Sequence, residues 1–210
     1  MGAKTYDRQS GKFLARIAEN LPELSGDVMQ SWIDDPKALQ KFLLGLSQPT
    51  APKKFAVWKT ITLGTDLKTA ADFRKALKAN GNLIGNYADD TIGKPAFTVS
   101  ETEKEVDLVQ VTVEELGFEN GADYANICAK AKTLGLELCT TEVGPQLRLR
   151  YKDQPKGEWL IVAMKAIACS DGDFSVFGIG HNGIGCWLDG GNGSADCFWN
   201  ADSRFVFVLS

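Results

Sequence analysis

Gly185-Cys-Trp-Leu-Asp-Gly-Gly-Asn-Gly-Ser-Ala-Asp-Cys-Phe-Trp-Asn-Ala-Asp-Ser-Arg-Phe-Val-Phe-Val208 joins two kinds of sequence. Its end, from Arg204 to Leu209, is β-branched and aromatic and predicts a strand. Upstream, Gly178 to Ser203 is rich in Gly, Asn, Asp and Ser, the chemistry of turns, and predicts a long loop between the last two strands. Trp187 and Trp199 are heavy anchors that can hold such a loop to a core.

Charge separates this region from the rest. The 210-residue chain carries a formal charge of −4. Residues 1–165 hold 22 basic and 22 acidic side chains, whereas residues 166–210 hold Arg204 and five Asp. The same 45 residues contain no Lys, Glu, Gln or Met, where simple proportion would place about ten. The composition as a whole, 44% hydrophobic and 24% charged, is that of a chain able to bury a core. An acidic balance argues against nucleic acid as a partner. There is no apolar run of about 18 residues to span a membrane, and Met1 to Pro22 lacks a signal-like apolar stretch, which predicts cytoplasmic synthesis without a signal peptide.

Outward from the tail, apolar positions in residues 7–47 (Phe13, Ile17, Val28, Trp32, Leu39, Phe42, Leu43, Leu46) recur at helical spacing. They predict an N-terminal helical segment that could serve as an oligomerisation arm or as a helical cap packed on the main domain. Two prolines at 47–54 mark a linker. The domain boundaries expected are 1–50 for the segment with its linker and 55–210 for the main domain. Within the latter, Phe55–Leu63 and Glu105–Val113 read as strands. Thr69 caps a helix over Ala70–Ala79 that stops at Gly81, and a second helix covers about Ala122–Thr133, ended by Gly135. Leu136–Thr140, Gln146–Tyr151, Trp159–Ala168, Phe174–Ile179 and Arg204–Leu209 supply further strands. Two helices with mostly antiparallel strands predict an α+β fold.

Cys128, Cys139, Cys169, Cys186 and Cys197 show neither C-x-x-C spacing nor an even count, so reduced thiols are expected and no metal site. Gly178-Ile-Gly-His-Asn-Gly183 matches a dinucleotide fingerprint by letters, yet Gly183-Ile-Gly-Cys-Trp-Leu-Asp-Gly-Gly191 cannot open the helix that motif needs. No cofactor is expected. His181 with Cys139, Cys169, Cys186 or Cys197 would supply the parts of a thiol-dependent enzyme, since a thiolate needs a neighbouring base or cation. Asp171-Gly-Asp173 reads as a hairpin turn rather than a calcium loop.

One mutational rule accounts for the missing residue types. Randomising the adenines of AAC or AAT codons leaves a pyrimidine in the third position, which excludes Lys, Glu, Gln, Met and Trp. Gly178 to Ser203 uses only the reachable types, apart from Trp187 and Trp199. The ending Gly185-Cys-Trp-Leu-Asp…Phe198-Trp-Asn-Ala-Asp-Ser-Arg-Phe-Val-Phe-Val208 resembles the close of a C-type-lectin-like (formylglycine-generating-enzyme-like) domain. Similar fold elements close the microbial or viral variable proteins of diversity-generating retroelements, whose targets are mutated at adenines, and Val106–Val208 is similar to a family of microbial proteins whose C-terminal ends differ strongly from copy to copy. Glu142–Pro155 and Gly157–Leu160 carry most of that likeness. The chain lacks the E-P-N or Q-P-D sugar motif and paired disulfides of calcium-dependent lectins, so only the fold and a display role carry over.

The resemblance implies a non-enzymatic binding protein with a variable region at about 176–204, recognising protein or cell-surface targets. Display on a virion would suit it. The positions expected to vary are Gly178, His181, Asn182, Ile184, Cys186, Gly190, Gly191, Asn192, Ser194, Ala195, Asp196, Cys197, Asn200, Ala201, Asp202 and Ser203. Trp159, Trp187, Trp199, Phe205 and Phe207 would form the frame. The alternatives are the thiol-dependent enzyme and a helical assembly module.

Overall fold

The computed structural model describes residues 55–209 and 25–35, together with Gly11, Lys12, Ala15, Arg16, Glu19, Lys37 and Gln40. The chain divides into two units, Met1–Ala51 and Pro52–Ser210. In the first, Gly26–Asp34 forms helix α1. Phe13, Ile17, Leu39, Phe42, Leu43 and Leu46 of the predicted stripes, and the linker at 47–54, lie outside the described residues. No helix among the described residues is long and apolar enough to cross a membrane.

The second unit is a mixed α+β fold. Its strands are β1 (Lys59–Leu63), β2 (Leu83–Ile84), β3 (Lys104–Thr112), β4 (Ala122–Asp123), β5 (Leu136–Glu137), β6 (Trp159–Val162), β7 (Ile167–Ala168), β8 (Phe174–His181), β9 (Cys186–Asn192), β10 (Phe198–Trp199) and β11 (Arg204–Leu209). Its helices are α2 (Ala70–Ala79), α3 (Asn86–Gly93), α4 (Tyr124–Thr133) and α5 (Val143–Arg150). The main sheet runs β1-β3-β11-β6-β8-β9-β2, with β5 beside β11 and β7 beside β8. Pairing is antiparallel except for β11 with β6 and β2 with β9.

Local chemistry explains several elements. In α2, Thr69 Oγ1 accepts from the Asp72 amide while Asp72 Oδ2 accepts from the Thr69 amide, a reciprocal capping box. Gly81, at φ 72°, releases the chain from that helix. In β3, Leu108 on one face and Val109 and Val111 on the other are buried and pair with Val208, Phe207 and Phe205 of β11. Phe205 and Phe207 are fully buried, and Phe205 stacks on Tyr124 at 6.1 Å.

Three expectations are corrected. Four helices, not two, are described in this unit. Gln146–Tyr151 is not a strand: it falls in α5 and the residue capping it. Its alternation of polar and apolar side chains looks like a strand, but α5 is buried from Val143 to Arg148. With no solvent face, a helix loses its 3.6-residue signature. Finally, Gly178–Ser203 is not a loop between two strands. It holds the end of β8, all of β9 and β10, and the hairpin turn at residues 182–185.

Cross-strand register assigns side chains to the two sheet faces. Trp159, Gly180, Trp187 and Leu83 form one row across β6, β8, β9 and β2, and Leu160, Ile179, Leu188 and Ile84 form the next row on the opposite face. Helix α5 packs on β8 and β9 from this second face, where Gly144 lies against the Phe177 ring.

Between β7 and β8, Cys169 to Asp173 forms the expected hairpin turn, closed by a Cys169 amide to Asp173 carbonyl bond of 2.7 Å. Asp90 of α3 clasps it, accepting from the Ser170 amide and hydroxyl, each at 2.7 Å. These bonds, with Lys94 nearby, hold the Asp90 carboxyl down at about 2. Its folded value lies below the unfolded ~3.9, so its contribution is present above that value and lost as pH falls toward 2. Asp90→Asn should abolish this acid-dependent loosening, read as amide exchange at Ser170 between pH 5 and 2.

Candidate functional site

The face carrying Trp159 bears a cavity of about 550 Å³ lined by the Trp159 and Trp199 indoles, buried Ile161, and Lys156, Glu158, Asp202, Ser203 and Arg204. Trp159 lies over the bare backbone of β8. A Cβ at Gly178 would sit 2.6 Å from its ring, and one at Gly180 would overlap it. The indole is therefore packed from below yet remains 40% exposed. Trp199 sets its ring edge-on to Phe205 at 5.4 Å and 83°, and its Nε1 is buried with no hydrogen-bond partner. Arg204 and Glu158 form an ion pair at 3.3 Å across the cavity lining. Glu158 also accepts from the Tyr151 hydroxyl at 2.8 Å, and burial followed by this bond pushes the Tyr151 phenol upward.

Of the positions expected to vary, Asp202 and Ser203 line this cavity and Gly178 lies under Trp159, whereas His181, Cys186 and Gly190 belong to the opposite face of the β8–β9 hairpin. Asn182, Ile184, Asn192, Ala195, Asp196, Asn200 and Asp202 are exposed, with Ile184 reaching 81% at the hairpin tip. His181, Cys186, Gly190, Gly191, Ser194, Cys197, Ala201 and Ser203 are half-buried, and Gly178 is buried. The backbone of this stretch is tied to the remainder of the unit through main-chain groups. Val113 and Glu114 amides donate to the Ser203 and Ala201 carbonyls at 3.0 and 2.9 Å, and Tyr124 and Ala125 amides to the Cys197 and Ala195 carbonyls at 2.9 and 3.0 Å. Strand β10 adds an antiparallel pairing with β4.

Other positions carry structural duties through their own atoms. Asn182 Oδ1 accepts from the Ile184 and Gly185 amides at 2.9 and 3.1 Å and from Trp187 Nε1 at 3.1 Å, which fixes the hairpin tip and the Trp187 ring together. At Gly190 a Cβ would overlap Tyr87 Cβ and lie 2.9 Å from Ser175 Oγ. Gly178 and Gly190 thus accept a side chain only with movement of Trp159 or Tyr87. A second cavity of about 220 Å³ opens beside Gly190, lined by Tyr87, Asp173, Phe174, Ser175, Gly191 and Asn192.

All five cysteines are free thiols. Cys139 and Cys169 are buried, and burial pushes the Cys139 thiol upward. Burial also raises Cys128, and at Cys197 the neighbouring Asp196 and Asp123 add to it. Only Cys186 stands directly across a strand pair from His181. His181 Nδ1 lies 2.5 Å from the Gln154 carbonyl. A carbonyl only accepts, so Nδ1 carries the proton in this bond. No group of three His, Cys, Asp or Glu side chains among the described residues could hold a metal ion.

Sequence reasoning did not single out Lys156 or Glu158 in the cavity, nor Arg148 and Gln154 behind the hairpin. Lys156 and Glu158 come after Pro155 in a short polar stretch with no motif. Arg148 is hidden by the strand-like reading of α5, and Gln154 follows that helix in a polar stretch with no motif. Comparison with protein-family models, curated proteins and solved structures finds no match to this chain.

Proposed function

We propose that this chain is a ligand-binding display protein on a C-type-lectin-like domain, the variable protein of a diversity-generating retroelement, with a protein or cell-surface target. One observation carries the reading: the stretch with the adenine-rule composition is anchored by backbone carbonyls while many of its side chains are exposed, two of its residues, Asp202 and Ser203, lining the tryptophan cavity. Main-chain anchors survive a change of side chain, so such a surface tolerates exchange in the way antibody loops do on their sheet frame. The order of elements supports the resemblance. A strand with Trp187 leads to Trp199, then a turn closed by the Ser203 amide on the Asn200 carbonyl at 3.0 Å, then the final strand β11.

The test is simultaneous exchange of Ile184, Ala195, Asp196, Asn200 and Asp202 for residues reachable by the codon rule. Thermal unfolding should stay within a few degrees of the parent, as expected of surface positions that cost within about ±0.5 kcal/mol each. Selection from such a library on cell-surface proteins should then yield binders. A cooperative loss of folding across several exchanged variants would refute the reading.

A further inference from the structure

The lining of the tryptophan cavity has two origins. Lys156, Glu158, Trp159, Ile161, Trp199 and Arg204 lie outside the positions expected to vary, and Asp202 and Ser203 lie among them. Two more of those positions, Gly178 and Gly191, share this face of the sheet but sit beneath the lining rather than in it. Their surroundings differ. A Cβ on Gly191 would lie 3.3 Å from Ile161 Cδ1 and 3.5 Å from Trp199 Cη2, close to ordinary contact. A Cβ on Gly178 would lie 2.6 Å from Trp159 Cζ2 and 3.0 Å from its Cε2, and the three atoms nearest to it all belong to that indole.

The backbone does not require glycine at 178. Its φ is not among the positive values of this chain, so β8 accepts any residue there and the indole alone stands in the way. That ring can leave the sheet, because Trp159 is 40% exposed. Its Cζ2–Nε1 edge lies on Gly178 and its Cε3–Cζ3 edge on Gly180. Gly180 is outside the set expected to vary, so a side chain at 178 lifts one edge of the ring while the other stays down.

We infer that residue 178 sets the posture of Trp159 and thereby the chemistry of the target the cavity takes, an inference that rests on the display reading. With glycine the indole lies flat and presents its π face, which receives a planar or cationic side chain such as a guanidinium. Every other residue the codon rule reaches carries a Cβ. Exchange therefore raises the Cζ2–Nε1 edge off the sheet, narrows the cavity and turns an N–H donor toward the target. Residue 178 is a positioning residue: it changes what the cavity binds from beneath, without touching the target.

The test uses the full chain labelled with 5-fluorotryptophan, the Trp159 fluorine resonance being assigned among the five tryptophans by its loss in Trp159→Ala. Gly178→Ala should move the Trp159 resonance, whereas Gly191→Ala should leave it in place. Gly178→Ala should also lower the melting temperature by about 3 °C, and this loss should vanish in the Trp159→Ala background, where no ring stands over the added methyl. Binders selected on cell-surface proteins with glycine kept at 178 should lose about tenfold in affinity on Gly178→Ala, the worth of one aromatic stack. The inference is overturned if the Trp159 resonance stays put in Gly178→Ala, if the melting loss is equal in both backgrounds, or if the binders keep their affinity. Failure of the display reading looks different: no library member binds, while the resonance shift and the background-dependent loss are still seen. If Gly178→Ala does not fold and Gly178→Ala with Trp159→Ala does, the ring is shown to be the obstacle and the posture argument holds.

Discussion

Gly144→Ala is expected to cost about 3 kcal/mol, the upper end for overpacking a well-filled core, and to lower the melting temperature by roughly 10 °C in a unit of this size. The added methyl would lie 2.5 Å from Phe177 Cδ2 and 2.7 Å from its Cβ. Phe177 is fully buried in β8, and a Cβ cannot swing aside, so α5 and β8 must separate. Gly180→Ala also meets an aromatic ring, that of Trp159. That ring is partly exposed and can rotate outward, so this variant should lose much less. Thermal denaturation of the pair, followed by circular dichroism, checks both the size and the order.

Glu142→Ala should be comparably damaging for a different reason. Glu142 is completely buried. Its Oε1 accepts from the Gly64 amide at 2.8 Å and from Gln146 Nε2 at 2.9 Å, and its Oε2 from the Ser100 amide at 2.8 Å. One side chain therefore ties the start of α5 to the chain after β1 and to the chain before β3. Truncation strands three donors, each worth about 1–3 kcal/mol when left unsatisfied in the interior, so the loss should be about 3 kcal/mol or more. Glu142→Gln keeps one carbonyl oxygen and should fall between the two, as measured by urea unfolding. Equal stability of all three proteins would show that the bonds are not made in solution.

Legibility in the sequence tracks the range of the forces involved. The α2 cap needs only Thr69 and Asp72, three residues apart, and Gly81 ends the helix through its own backbone freedom, so both can be read locally. Strand β3 is legible because its sequence largely alternates apolar and polar side chains, and β11 because Phe-Val-Phe-Val is aromatic and β-branched throughout, buried on both faces from Phe205 to Phe207. Helix α5 is the opposite case. Its Gln-Leu-Arg-Leu-Arg run alternates by accident of partners: Gln146 serves Thr65 and Glu142, while Arg148 serves Gln154 and Tyr151, contacts that no local pattern announces. Strand β9 reads as a loop because its Asp-Gly-Gly-Asn segment lacks β propensity. Pairing with β8 and the approach of Tyr87 make it a strand, and glycine is what permits that approach. For the candidate site, composition points to Asp202 and Ser203, and the resemblance adds Trp159 and Trp199 as frame residues. The charged lining from Lys156 and Glu158 and the Arg148–Gln154 network came only with the tertiary arrangement.

The place of β11 in the sheet has a consequence for protein synthesis. Arg204–Leu209 lies between β3 and β6 and also pairs with β5, so the two halves of the sheet meet only through a strand translated after residues 178–203. A ribosome that slips frame or stops within that stretch produces a chain with an apolar seam open on both sides, a substrate for proteolysis. Folding thereby proofreads the reading frame through the segment: every molecule that closes its sheet has been translated in register across it, whatever side chains that segment carries.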